Sequence, residues 1–286
     1  MKTGVSSYSF SALVSAGTLR FIDIPARAKD MGFPVVEFSK LTLPEGRTAA
    51  AFAADLAGEC RRVGIEVGSY TIAADFINGT GVAPEGEVER LRGELEVAKI
   101  LGSPCMRHDA TSRYDGAFER ALPILADGCR KVTEMGAAMG IVTMVENHGY
   151  FAQDSDRMES LVAAVHHPNF GLLVDMGNFL CADEDPARAV GRVAPFAKHV
   201  HAKDFHLRSG NAPDPGRGWF RTRAGNWLRG AIIGHGEVPV AQCLGILVRA
   251  GYKGNVSIEF EGMEDPGLAL SIGLENLRRF VAEATV

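Results

Sequence analysis

Cysteine is scarce in these 286 residues. The five present, Cys60, Cys105, Cys129, Cys181 and Cys243, are odd in number and contain no Cys-x-x-Cys pair. That excludes a disulfide framework or a zinc ribbon and predicts reduced thiols. Positive charge is also in deficit: 30 Lys and Arg face 35 Asp and Glu, a formal charge of -5, whereas duplex binding normally needs a basic face. No run approaches the ~20 apolar residues of a membrane span, and no apolar leader precedes Gly4-Val5-Ser6-Ser7-Tyr8. The expectation is a cytoplasmic protein with no nucleic-acid and no membrane partner. Neither a Gly-rich phosphate turn after an early strand nor a G-x-x-x-x-G-K-[ST] loop occurs, which removes the main signals of a doubly wound nucleotide-binding sheet.

What is present is ordinary core-forming composition, 46% hydrophobic and 23% charged. Short β-rich runs begin near Gly4, Pro34, Ile65, Pro104, Ile141, Phe170, Lys198 and Asn255. Between most of them lie segments with apolar residues three and four apart, such as Phe118, Leu122, Leu125, Cys129 and Val132. Several of these segments stop at a glycine just before the next strand, as at Gly64, Gly102 and Gly140. Strand and helix alternating at intervals of ~30 residues predict parallel strands with right-handed crossovers. Eight such units predict an α/β chain folded as a single (β/α)8 TIM barrel, residues 1–286 forming one domain. One interval breaks the period: 57 residues separate His201 from Glu259. Positions of about 205–237, rich in Gly, Pro and Arg and holding Trp219 and Trp227, are expected to form a long loop, either a lid or an oligomer contact.

Four segments carry the chemistry: Val145-Glu146-Asn147-His148, Val174-Asp175-Met176-Gly177-Asn178, His199-Val200-His201-Ala202-Lys203-Asp204 and Ser257-Ile258-Glu259-Phe260-Glu261. Each ends an apolar run with an oxygen or imidazole donor, at the strand end where barrel enzymes keep their sites. A helix cap or a salt bridge explains one such carboxylate, but less easily four donors on consecutive strands. Three acids meeting in a barrel mouth repel one another unless a cation sits among them. The expected cofactor is therefore one divalent cation held by Glu146, Asp175, His201 and Glu259. Carboxylates suit Mg or Mn, and one imidazole shifts the choice toward Mn, Co or Zn, with Mn first.

Further residues are candidates for substrate contact. His148 either meets substrate oxygens or makes a supporting hydrogen bond. Lys203 either polarises a carbonyl or pairs with Asp204. Glu37, ending Val35-Val36-Glu37, and the pair Arg107-His108 point toward the same end of the barrel. Trp219 either closes over a sugar ring or anchors a neighbouring subunit, and the loop arginines (Arg208, Arg217, Arg221, Arg223, Arg229) either grip an anion or form a solvated face.

In this order and spacing, the four motifs resemble the sugar phosphate isomerase/epimerase family with the xylose isomerase-like barrel, which includes tagatose/psicose 3-epimerases, inosose dehydratases and endonuclease IV. Gly234-His235-Gly236-Glu237-Val238-Pro239 is similar to that family too. The resemblance implies that Glu146 and Glu259 are the catalytic proton-transfer pair as well as metal ligands, that Asp175 and His201 mainly hold the cation, and that the protein forms a homodimer or homotetramer. Chelation of a carbonyl and its adjacent hydroxyl stabilises an enediolate, and carboxylates on opposite faces of the carbon remove and return its proton. Asn178, another substrate-binding candidate, stands where the tagatose/psicose epimerases have a histidine, and His201-Ala202-Lys203-Asp204 looks more like the inosose dehydratase branch. Endonuclease IV requires further histidines, where this chain has Ser69-Tyr70 and Asn178. The expected function is a metal-dependent isomerase or epimerase of a sugar, sugar phosphate or keto-polyol. The alternatives are a dehydratase or lyase on a keto-inositol, keto-sugar or oxidised glycoside, and a non-catalytic sugar-binding barrel.

Overall fold

A computed structural model describes residues 1–285. Eight parallel strands close into a barrel: β1 (Lys2–Ser6), β2 (Val35–Phe38), β3 (Glu66–Ile72), β4 (Cys105–His108), β5 (Val142–Glu146), β6 (Phe170–Asp175), β7 (Ala197–Ala202) and a last strand, Asn255–Ile258. Each hydrogen-bonds to its neighbour in sequence, and the last strand pairs with both β7 and β1 to complete the ring. Helices return the chain over the outside. Among them are α1 (Ser11–Ser15), α2 (Ile24–Asp30), α3 (Ala49–Val63), α4 (Glu87–Leu101) and α5 (Phe118–Met139). The (β/α)8 barrel expected from the alternation is therefore the fold.

The helices form where apolar spacing gives them one side to bury. On α5, Phe118, Ala121, Leu125, Cys129 and Val132 are all buried. Burying a Leu or Phe of this kind stabilises the fold by about 1.5–3 kcal/mol. The helix stops at Gly140, whose φ of 74° is left-handed, and the backbone turns directly into β5.

The segment after β7 is more regular than a loop. β8 (Asp204–Arg208), β9 (Phe220–Arg221) and β10 (Trp227–Ala231) form a separate antiparallel sheet in the order β8-β10-β9. Its side chains are tied together locally: Arg221 stacks on Trp227 at 3.5 Å, and Trp219 has Arg208 at 5.3 Å and Arg229 at 5.6 Å. The chain then returns through helix Val240–Arg249 to the last barrel strand, β11 (Asn255–Ile258). Among the described residues no helix is long and apolar enough to cross a membrane.

Candidate metal centre

Residues opposite one another on neighbouring parallel strands face the same side of the sheet. Asp175 on β6 is in register with His201 on β7, and His201 with Ser257 on β11. The three occupy one level of the barrel interior. Glu259, two residues beyond Ser257, stands one level higher, and Glu146 ends β5. Glu146, Asp175, His201 and Glu259 thus offer one ligand atom each within 4.8 Å of one another. His201 Nδ1 lies 3.6 Å from Asp175 Oδ2, 3.7 Å from Glu259 Oε1 and 3.9 Å from Glu146 Oε1.

The hydrogen bonds around this quartet decide which atoms are free. His201 Nε2 donates to Glu37 at 2.8 Å, which leaves Nδ1 turned to the three carboxylates. His201 Nδ1 and Asp175 Oδ2 are both buried and make no hydrogen bond. Two orphaned donor atoms aimed at one point, with two more carboxylates beside them, fit a divalent cation in oxygen and nitrogen coordination. Burial alone would lower the His201 pKa, but Glu37 and Glu259 carry it well above the ordinary imidazole range. A cation taking the Nδ1 position therefore displaces a proton. Glu37 is itself fully buried, bonded to His199 Nε2 and His201 Nε2 at 2.8 Å each. Burial opposes ionisation of its carboxyl, yet the two histidines hold its pKa below the usual range. A carboxylate behind a ligating imidazole fixes its tautomer and ring orientation.

Two cations compensate the carboxylates. Lys203 Nζ lies 2.6 Å from Glu259 Oε2, 3.3 Å from Asp175 Oδ2 and 3.7 Å from Glu261 Oε2. Against burial, these acids raise the Lys203 pKa well above its ordinary value, so the ammonium persists. Asp175, despite burial, is held at about 2, with Lys203 and His201 the main causes. Arg107 Nε lies 2.8 Å from Glu146 Oε2, and its Nη2 lies 2.6 Å from Asp109 Oδ1. Burial nevertheless leaves the Glu146 pKa raised. Asp109 Oδ1 in turn lies 3.2 Å from His148 Nδ1 and, against burial, raises that imidazole's pKa. Asn178 bridges the two halves, donating to Glu146 Oε1 at 2.9 Å and accepting from Lys203 Nζ at 3.2 Å. It reaches Lys203 because Gly177 packs against that residue: a Cβ on Gly177 would come 2.9 Å from the Lys203 carbonyl oxygen.

Above the quartet opens a cavity of about 340 Å3, lined among others by Glu146, Glu259, Arg107, His148, Lys203 and Glu261. Of the residues expected at the substrate, Arg107, His148 and Lys203 line it. Glu37 lies beneath the quartet instead, with no exposed surface. His108 points the other way: β4 alternates, Arg107 takes the inner face, and the His108 ring packs edge-on to Phe76 at 5.7 Å with Nδ1 on the Asp109 carbonyl. Asn178 sits behind Glu146 and Lys203, and Trp219 lies between Arg208 and Arg229 in the antiparallel sheet. Neither lines the cavity. Lys203 pairs with the site acids and not with Asp204, whose carboxylate accepts the backbone N–H groups of Phe205, Gly234, Gly236 and Val238. Further residues at the site were not among the candidates: Asp109 beside Arg107, and Tyr8, Ser39, Lys40, Thr71 and Glu261 on the cavity wall. Asp109 is two residues beyond Arg107, so strand parity alone pointed to it.

Comparison with known proteins agrees with this architecture. A family model described as a xylose isomerase-like TIM barrel matches residues 25–280. An inosose dehydratase of Bacillus anthracis is 23% identical over 199 residues, 68% of this chain and 62% of that protein. The uncharacterized protein YihM of Escherichia coli is 28% identical over 139 residues, 49% of this chain and 38% of that one. The chain thus spans less than two thirds of the length of these curated relatives. Similar in fold are D-psicose 3-epimerase from Clostridium cellulolyticum with D-tagatose (TM-score 0.73, 13% identity, 98% and 99% of the two chains) and the probable 3-DHS dehydratase AsbF from Bacillus anthracis (0.70, 18%, 97% and 98%). A barrel protein from Mycobacterium smegmatis in complex with magnesium is also similar (0.70, 15%, 93% and 89%). At such identities the structural likeness shows the fold alone.

Proposed function

The chain belongs to the xylose isomerase-like TIM barrel family, and from that premise we propose a divalent-metal-dependent isomerase or epimerase acting beside the ketone of a sugar, sugar phosphate or keto-polyol. The observation that carries this reading is the pair Glu146 and Glu259, both on the cavity lining and both beside the orphaned His201 Nδ1 and Asp175 Oδ2. Those four residues would hold the cation, manganese first and magnesium, cobalt or zinc after it. When bound, the cation supplies electrostatic stabilisation of negative charge developing on the carbonyl and adjacent hydroxyl oxygens of the substrate.

The protein's own groups then divide the proton work. One carboxylate takes the proton from the carbon next to the carbonyl, and the other returns it from the opposite side. Glu146, with its pKa raised by burial, suits the proton-returning role, and Arg107 orients it. Lys203 holds Glu259 in place and offers an N–H to a substrate oxygen. The partner required is a small carbohydrate; neither nucleic acid nor membrane enters this reading.

Dehydration is the second reading, and one arrangement favours it. His148 lines the cavity with Nδ1 bound to Asp109, which leaves Nε2 to protonate a departing β-hydroxyl. Both reactions begin with removal of the same proton, and relatives named inosose dehydratase and psicose 3-epimerase lie on either side of the division. The test is NMR of manganese-loaded protein in deuterated water with ketoses, keto-inositols and their phosphates. Deuterium entering next to the carbonyl with a new stereoisomer or aldose supports the first reading. A product that has lost water supports the second. Deuterium-free substrate throughout the panel overturns both.

A further inference from the structure

The cavity over the quartet continues into an annex. Tyr8, Ser39 and Lys40 line both spaces, so they form a shared wall and not a partition between remote pockets. The annex has a volume of about 200 Å3 against the outer end of β1, α1 and β2, and none of the four clustered donors lines it. Its floor is fixed: Ser7 Oγ and Ser39 Oγ are 2.9 Å apart, and Ser7 Oγ also accepts the Ser39 backbone N–H at 2.8 Å. The remaining polar lining is different in kind. Ser11, Ser15, Lys40 and Thr42 are exposed, and among the described residues the three hydroxyls have no hydrogen-bond partner in the protein and Lys40 forms no ion pair, so all four are open to a ligand. Tyr8 adds exposed aromatic surface, while Phe21, also on the lining, is buried against Phe38 and Phe52.

Uncommitted hydroxyls beside an exposed aromatic ring suit one kind of ligand best. A pyranose has hydroxyls at its rim, which both donate and accept, and an apolar C–H face that packs on an aromatic ring. A single lysine amid hydroxyls is a weak cradle for a phosphate, which is held best by several charge-assisted donors. We propose that the annex is a subsite for a second sugar ring, so that the substrate is a glycosylated ketose, with its keto unit at the quartet and its glycosyl unit against Ser11, Ser15 and Thr42. This deepens the carbohydrate reading above and rests on it.

Isothermal titration calorimetry of the manganese-loaded full chain tests it, with D-fructose, D-fructose 6-phosphate and the three glucosyl-fructoses that carry glucose on O3, O4 or O6. At least one glucosyl-fructose should bind ten-fold or more tightly than fructose. Ser15 is exposed on the short helix α1, so Ser15→Trp fills the annex without entering the core, and Ser11→Phe does the same from the next turn. Both variants should return that disaccharide to the fructose affinity and leave fructose itself unchanged. Fructose binding with no gain from glucosylation, or a gain from phosphate alone, overturns the glycosyl subsite while leaving the carbohydrate reading intact. No binding by any of the five sugars overturns the glycosylated-ketose substrate, and the carbohydrate reading falls with it only where the deuterium panel of ketoses and keto-inositols is silent as well.

Discussion

A fully buried carboxylate stays ionised only when it is paired, and Glu37 is paired with two imidazoles at once. Its oxygens occupy the Nε2 side of His201, so Nδ1 is the only nitrogen that ring can give a cation. Glu37→Gln should therefore weaken manganese binding by about 10–100-fold, the usual effect of losing such a partner, with circular dichroism unchanged. Undiminished affinity by equilibrium dialysis would show that His201 needs no such support. His108 makes the opposite case, a histidine buried neutral. Burial depresses its pKa to about 4, and its Nε2 has no partner. Above the unfolded value of ~6.5 both states are neutral, so the group contributes nothing; as pH falls, the unfolded chain takes up the proton first. Stability should thus be lost between pH 6.5 and 4, by about 3 kcal/mol at the lower end. His108→Phe, which preserves a ring against Phe76, should flatten that part of the curve in denaturant melts at pH 7 and pH 5. An unaltered slope would assign the acid sensitivity to other groups.

At the level of the element, Asp204 joins the antiparallel sheet to the barrel. It opens β8 and accepts four backbone N–H groups, three of them from the 234–238 turn. Asp204→Ala leaves the buried Val238 N–H without a partner and the turn without its anchor, at about 2–3 kcal/mol. Tm should drop by roughly 5–10 °C; an unchanged Tm would mean that the turn holds by packing. This anchor also explains what could be read in advance. The eight strand starts and the glycine helix ends were legible because period and capping are local properties. The clustering of Glu146, Asp175, His201 and Glu259 was legible because each donor closes an apolar run. The sheet at 204–231 was not, since β9 has only two residues and its pairing with β10 spans a turn of mixed Gly and Arg. His108 was misplaced for a reason the sequence held: neighbours on a strand cannot both face the interior, and Arg107 does. The chain Glu146–Arg107–Asp109–His148 links two strand ends and the loops after them, contacts that no spacing rule specifies.

For the molecule as a whole, the question is whether folding waits for the cation. Glu146, Asp175, Glu259 and Glu261 gather at one end of the barrel, but Lys203 and Arg107 lie among them at 2.6–3.7 Å. Those two charges offset much of the repulsion, and the apolar core draws buried side chains from all eight barrel strands. The metal-free barrel should therefore be folded, unlike small domains whose stability is the metal itself. The cation then adds stability by mass action alone: about 2.7 kcal/mol when free metal reaches 100 times its Kd. Calorimetric melts in excess EDTA and in graded manganese should show one cooperative transition throughout, with Tm rising steadily with metal. His201→Ala should lose most of the manganese response and melt below the EDTA value of the wild type, because buried Glu37 keeps only His199 as a partner. Glu259→Gln should retain part of that response, because three donors remain, while proton exchange at the substrate stops. Coincident melts with and without manganese would remove the metal from the site. Loss of cooperative folding in EDTA would instead show that Lys203 and Arg107 cannot hold the acids together unaided.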